Sequence, residues 1–429
     1  MMGGSVLKKE MGGMREKCTI ILRRAAAYLR VFARRTALSV LIGLLCGLLG
    51  GLFHHAVDLS SELFSAHGWL LYLLPLAGIV IVWLYHMAGI YEDKGANLVL
   101  VSLRTGETVP ARVAPLIFAG TVLTQLCGGS AGREGAALQI GAGTASCFNH
   151  IFRLEGKSAK RMTMCGMSAL FAAVFGTPIT AALFSMEVSA VGVLHYAALY
   201  PCLVSSITAW EVSRYLGTSG VTMPAIPLPS ADVGTIFRVL ALTLACAVVS
   251  ILFLEVMHLA GKLYRRAFDG RPYLRAAVGG LLVILATLLL GTRDYNGAGM
   301  DVAVAAVGGQ AAGWAFLLKI LFTALTIGAG YKGGEIVPAF FIGAAFGCVA
   351  GPWLGLDPGL AAAVGLIALF CSVVNCPVAS MLLSVELFGG TRLWLFAVVC
   401  GVSYLMSGYS TLYSEQKIVY SKLGEETEP

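Results

Sequence analysis

Charge is scarce in this chain. Of its 429 residues only 12% are Asp, Glu, Lys or Arg, 58% are apolar, and the mean hydropathy is +0.82. A soluble domain of this length would carry a far more charged surface, so that class is excluded. Metal-ligand spacing is missing as well. The eleven cysteines stand apart, mostly in apolar runs, and no C-x-x-C pair occurs. They read as small buried apolar residues. His54 and His55, the only paired histidines, have no third ligand nearby, so no metal site is expected. No phosphate-binding loop and no nucleophile–base set is present, which argues against an enzyme and against a bound cofactor. Lys and Arg are absent from Gly217 to Thr235, a proline-containing stretch that should face outward.

What the chain does have is length in apolar runs: Leu38 to Phe53, Trp69 to Tyr85, Phe237 to Leu259 and Ala276 to Leu290. Each is long enough for most or all of a bilayer crossing. Others, such as Pro178 to Val188, are too short to cross alone, and Gly/Pro-interrupted helices that stop inside the membrane are typical of transporters and channels. The fold class is therefore an all-α, multi-pass membrane protein with broken, short and tilted helices. Fifty-two glycines suit close helix packing.

The first 35 residues carry nine Lys/Arg against two acids. This basic segment, 1–35, should lie in the cytoplasm, with Ala25 to Arg35 forming an amphipathic helix on the inner leaflet. It is too long and too charged for a cleaved signal peptide. Its position beside the first span makes topology a better account than nucleic-acid binding. Arg153 to Arg161 and Lys262 to Arg275 are basic connections expected on the same side. The membrane domain should span 36–420, in halves of about 36–216 and 236–420. A short polar tail, 421–429, should close the chain on the cytoplasmic side of the plasma (inner) membrane, with no soluble regulatory (CBS) domain.

The halves resemble each other. Phe171 to Glu187 matches Phe370 to Glu386, each with a proline nine residues before a glutamate. Tyr91 to Asn97 more weakly resembles Arg293 to Gly299. Duplicated halves usually place the substrate where they meet, near the midplane. Pro178 and Pro377 most simply start helices, which leaves Glu187 and Glu386 near helix ends, as carboxylates bonded to neighbouring backbone. Two further carboxylates stand in glycine-rich breaks, in Gly132-Arg-Glu-Gly135 and Gly333-Gly-Glu-Ile-Val-Pro338. An ionisable residue at that depth is a functional candidate, and the free N–H groups of an opening helix suit an anion.

These segments, in this order and spacing, resemble the CLC family of anion transporters and channels, over about Thr36 to Lys417. Gly132 to Gly135 resembles the family's gating-glutamate motif, Gly333 to Pro338 its second Gly-rich helix start, and Leu412-Tyr413-Ser414 its central-tyrosine segment. Lys94-Gly95-Ala96-Asn97 stands where the family's first anion motif has a serine. Chloride-handling relatives lack an acid at Glu335, and many proton-coupled relatives carry an inner glutamate where this chain has Val188. The pattern resembles the fluoride/proton-antiporting branch. The resemblance implies inverted halves, a homodimer built on the Pro178 and Pro377 helices, and one pathway per subunit.

Glu134 is then the expected gate, its carboxylate competing with fluoride or chloride for the same N–H donors. Glu335 is either a proton relay or a cap on its own helix start. Gly132, Gly135, Gly334, Ile336 and Val337 are candidate backbone contacts for the anion, with Lys94, Gly95, Ala96 and Asn97 at the other break. Arg133 either anchors its loop or meets the anion, and Lys94 either attracts anions or sits at the inner surface. Tyr413 either donates its O–H to the ion or anchors at the interface. The expected activity is proton-driven exchange that exports an anion, with fluoride implied by the resemblance. A chloride/proton antiporter and a passive anion channel are the alternatives.

Overall fold

The computed structural model describes residues 3–218, 220–227, 232–390, 393–420 and 422, with side chains from residue 19 onward. Of the polar tail at 421–429, only Lys422 lies among them. Among the described residues, sixteen α-helices fall into two sets of eight. The first set is α1 (Gly3–Ala66), α2 (Leu74–Met87), α3 (Ala96–Thr105), α4 (Val113–Leu126), α5 (Glu134–Ile151), α6 (Gly156–Phe175), α7 (Pro178–Glu187) and α8 (Leu199–Tyr215). The second is α9 (Val233–Ala267), α10 (Pro272–Leu290), α11 (Met300–Val307), α12 (Ala315–Gly328), α13 (Ile336–Ala350), α14 (Pro358–Val374), α15 (Pro377–Phe388) and α16 (Leu393–Met406).

Five helical stretches are long and apolar enough to cross a bilayer: Thr19–Ala66, Gly68–Met87, Val233–Ala267, Pro272–Leu290 and Ile336–Leu354. The stretch expected as a separate helix over Ala25–Arg35 runs without a break into the first span, both belonging to α1. The Trp69–Tyr85 run begins as a 3₁₀ turn, and α2 takes over with Pro75 in its first turn, where a missing N–H costs nothing.

The same packing device recurs in both halves. Gly141 of α5 meets Gly166 of α6, and Gly343 of α13 meets Gly365 of α14; a Cβ on any of the four would strike the carbonyl oxygen of its partner. Only glycine permits that backbone approach. It sinks α6 and α14 into the centre, where Met162–Phe175 and Gly359–Val374 are buried without interruption. Phe171, Phe184, Phe370 and Phe340 form an aromatic row from one half into the other, with successive centroids 5.3, 6.1 and 5.2 Å apart.

Left-handed residues, Gly176 and Asn375, end α6 and α14, and prolines then open α7 and α15. These two short helices lie side by side in opposite directions. Glu187, at the end of α7, accepts the N–H groups of Val378 (3.2 Å) and Ala379 (2.9 Å) at the start of α15. Glu386 accepts those of Ile179 (2.9 Å) and Thr180 (2.8 Å) at the start of α7. Each carboxylate thus caps the other half's helix, where orphan N–H groups and a positive dipole end favour it. The exchange sets the halves antiparallel, and the proline–glutamate spacing is one helix length.

After α16 the chain returns to the centre. Gln416 donates to the carbonyls of Val188 (3.0 Å) and Val374 (2.9 Å), and Lys417–Ile418 pairs in parallel with Ala190–Val191. Leu412, beside Tyr413, donates its N–H to the carbonyl of Val373 near the end of α14 (2.8 Å).

Removing either cap should cost stability. Glu187→Ala and Glu386→Ala are each expected to lower unfolding free energy by about 1–2 kcal/mol. Thermal unfolding of both variants checks this; unchanged stability would remove the caps from the account.

Candidate functional site at the opposed helix starts

The glycine-rich breaks meet face to face. The N–H of Gly132 donates to the carbonyl of Gly334 at 2.6 Å, and Gly334 returns the bond at 2.8 Å, a single antiparallel bridge between the halves. The residues ahead of Gly132 are fixed by side chains of α4 and α12. Gln125 donates to the carbonyl of Ala131 (2.5 Å), while Thr326 and Thr323 bond the backbone N–H and hydroxyl of Ser130 (3.1 Å each). From this bridge α5 and α13 run apart, so both N-termini aim at one spot.

Glu134 is the first residue of α5 and fully buried. Its carboxylate folds back over the bridge. A Cβ on Gly334 would lie 2.5 Å from a Glu134 oxygen, and one on Gly132 would overlap the carboxylate. The backbone N–H groups of Arg133, Glu134 and Val337 face it. None reaches full hydrogen-bond geometry, and both oxygens lack a partner among the described residues. A buried carboxylate so placed faces the field and dipoles of two helix starts, without a network of full hydrogen bonds. Gly135 closes the same turn against the carbonyl of Gly333, and Ile336 and Val337, the first two residues of α13, are buried at 1% each.

Glu335 occupies the N-cap position of α13, but its side chain makes no capping bond. The two acids are therefore one step out of register between the halves. Glu134 stands inside its helix, Glu335 just before its own. Glu335 instead lines a cavity of about 860 Å³ that extends to the start of α3 and the connection between α9 and α10. Gly135, Gln139, Lys94, Gly95, Ala96 and Asn97 share that lining, while Glu134 and Tyr413 do not reach it. Tyr413, 3% exposed, stands within electrostatic range of both Glu335 and Glu134.

The first break is arranged differently. Gly95, in a left-handed conformation at φ +56°, caps α3, and its N–H donates to Asp93 Oδ1 at 3.0 Å. The matching N-cap of α11 is Gly299, at φ +77°, two residues beyond the position the repeat match implied. Asn97 turns its amide oxygen to the N–H of Glu415 (3.2 Å), tying α3 to the segment carrying Tyr413. Lys94 is exposed at the cavity wall.

Arg133 is directed away from the carboxylate. It pairs with Asp58 of α1 at 3.0 Å and lies over the Phe175 ring at 5.9 Å. Asp58 also holds His54 at 2.9 Å, so the first helix anchors the Glu134 loop through one carboxylate. Among the described residues no group of His, Cys, Asp and Glu could hold a metal ion.

Two cations escaped the sequence reading. Lys319, within α12, is fully buried and donates to the carbonyls of Tyr295 (3.2 Å) and Gly297 (2.8 Å), with the Phe341 ring 5.2 Å away. A lone lysine in the apolar run Ala315–Gly328 was the available signal. Lys332 pairs with Asp93 at 2.6 Å across the halves; no local spacing announces that contact.

Inverted halves of broken helices, with two N-termini converging on a buried carboxylate, define an ion-transporting membrane protein rather than an enzyme. The chain belongs to the CLC family: residues 77–408 match its model, described as voltage gated chloride channel. It is 36% identical over 400 residues to a chloride/fluoride channel protein of Pseudomonas syringae pv. tomato, covering 91% of this chain and 88% of that protein. It is 28% identical over 424 residues to the H(+)/Cl(-) exchange transporter ClcA of Vibrio cholerae, covering 90% and 88%. The structure superposes on a crystal structure of a CLC-type fluoride/proton antiporter with a TM-score of 0.87 at 33% identity, covering 90% of this chain and 98% of that one.

The bridge leaves no space for a side chain. Gly334→Ala places a methyl group 2.5 Å from both Glu134 and the Gly135 nitrogen, and is expected to cut anion flux about tenfold or more. Efflux from loaded liposomes, with gel filtration to verify folding, checks this.

Proposed function

We propose that this protein exports fluoride in exchange for protons, with Glu134 as gate and Glu335 as proton relay. The observation that carries the reading is the Glu134 carboxylate, lodged unbonded between two helix starts whose N–H groups suit an anion. Ionised, Glu134 fills that place itself. Protonated, it loses its attraction to the dipoles, swings away, and an anion takes the donors. Occupation by one excludes the other, so each exchange couples a proton to an anion.

Val188 has no titratable group, so the proton needs another carrier. Glu335 is a carboxylate at the cavity wall, near enough to Glu134 for the two charges to interact. A cap would spend that carboxylate on backbone N–H groups, and Glu335 makes no such bond. Tyr413 can add its O–H to the anion's shell. The acid at Glu335, the missing serine at Lys94–Asn97 and the likeness to a fluoride/proton antiporter favour fluoride over chloride. Fluoride is small and strongly hydrated, so its selection needs a tight site or strong donors.

The cavity, lined in part by the basic connection between α9 and α10, faces the cytoplasm of an inner membrane, with both termini on that side. A homodimer with one pathway per subunit fits the lipid-facing apolar surface at α7 and α15, where Ile179 (44%) and Val378 (38%) are exposed beside the reciprocal caps.

Purified protein in liposomes should release fluoride much faster than chloride, and a proton gradient should drive fluoride uphill. Ion-selective electrodes read both. Chloride flux equal to or above that of fluoride would favour a chloride/proton exchanger, and fast fluoride flux indifferent to the proton gradient would favour a channel.

Neutralising the two acids should separate their roles. Glu134→Gln is expected to keep anion flux while losing proton coupling. Glu335→Gln should impair proton-driven transport with thermal stability near that of the parent. If Glu134→Gln still drives fluoride uphill on a proton gradient alone, the gate lies elsewhere; if Glu335→Gln lowers stability and leaves coupling intact, Glu335 is a structural residue.

A further inference from the structure

The ion pair Asp93–Lys332 is not used by the gate at Glu134, yet it joins the break ahead of α3 to the break ahead of α13. Asp93 precedes α3 in the first half, and Lys332 sits on the loop that leads through Gly333 and Gly334 to Glu335 in the second. Their charged atoms are 2.6 Å apart, with side chains only 11% and 15% exposed. Both line the cavity that Glu335 also lines. The other oxygen of Asp93 accepts the Gly95 N–H at 3.0 Å, so this one carboxylate holds both an ammonium and the first free donor of α3. Lys332 has little freedom to follow it. Its Nζ stands 4.3 Å over the Tyr85 ring, and its backbone N–H donates to Thr124 at 3.3 Å.

We propose that Lys332 is the entry site for the transported anion in this cavity, and that Asp93 is a tethered carboxylate that occupies the site until the anion displaces it. An ammonium and a helix-start N–H are the donors a small, hard anion would need on leaving water. Asp93 already presents a negative oxygen to both. Exchanging one anion for another leaves the charge at Lys332 balanced, and the released carboxylate turns into a wet cavity. Because the anion takes the carboxylate's place beside the ammonium as the carboxylate enters water, no buried charge is left unpaired by the exchange. From Lys332 the anion has three residues of one loop to follow to Glu335. The inference rests on the anion-transport reading and adds the step before the gate.

A structural brace would account for the same contact, and the two accounts differ in sign. If the pair is a brace, losing either partner does the same harm. If Asp93 competes with the anion, removing it frees Lys332, whereas removing Lys332 destroys the site. The test titrates sodium fluoride into the purified full-length protein by calorimetry and measures fluoride efflux from liposomes, with thermal unfolding of every variant. Asp93→Asn is expected to tighten fluoride binding about tenfold, and Lys332→Met to weaken it about tenfold. The double variant should behave as Lys332→Met, and Lys332→Arg should bind close to the parent. Asp93→Ser accompanies Asp93→Asn, because asparagine can keep the Gly95 bond and serine cannot reach Lys332. Equal weakening by the Asp93 and Lys332 variants, in step with lower melting temperatures, would overturn the inference and leave the transport reading standing. A parent protein that carries neither fluoride nor chloride would overturn both.

Discussion

The bridge between Gly132 and Gly334 is the contact on which the rest of the site depends. Two backbone hydrogen bonds hold the glycine-rich breaks together, and they fix where α5 and α13 begin. Because the helices start from one point and diverge, their free N–H groups face a common volume. That volume is small because glycine stands on both sides of it. A side chain at either position would fill the place where the Glu134 carboxylate sits. Free N–H groups and positive dipole ends at such a place favour an anion or an acid over an apolar group.

Around this point several charges have separate partners of their own. Arg133 is balanced by Asp58 on α1, and Lys332 by Asp93 across the halves. Lys319 is met by two carbonyls and an aromatic face. Glu187 and Glu386 are satisfied by backbone N–H groups of the opposite half. Among the described residues, both oxygens of the buried Glu134 carboxylate lack a bonded counterpart.

Much of this was legible in the residues. The long apolar runs correspond to helices, the Gly/Pro interruptions to helix starts, and the proline–glutamate repeat to a pair of short helices. Such features are local, and each has a physical signature within a dozen residues. Contacts between distant residues were not legible. Glu187 reaches Val378 and Ala379, and Lys332 reaches Asp93, only because inversion of the halves brings them together. Register was also out of reach. Glu134 and Glu335 both stand in glycine-rich breaks, but one is a first helical residue and the other an N-cap, and that single step directs one carboxylate to the bridge and the other to the cavity. Likewise, nothing in Ala25–Arg35 reports that its helix continues into the span, since a basic amphipathic stretch reads alike whether it ends or goes on.

The reciprocal caps between α7 and α15 bear on how such a chain is made. During synthesis α8 is complete at Tyr215, yet the N–H partners of Glu187 arrive only when Val378 and Ala379 have been added. The start of α7 likewise waits for Glu386. Neither half closes its own helix ends, so insertion of the first must leave a carboxylate and a helix terminus unsatisfied for most of the chain's elongation. Because each end is closed by the opposite half, the caps tie the two halves of the chain's membrane part together.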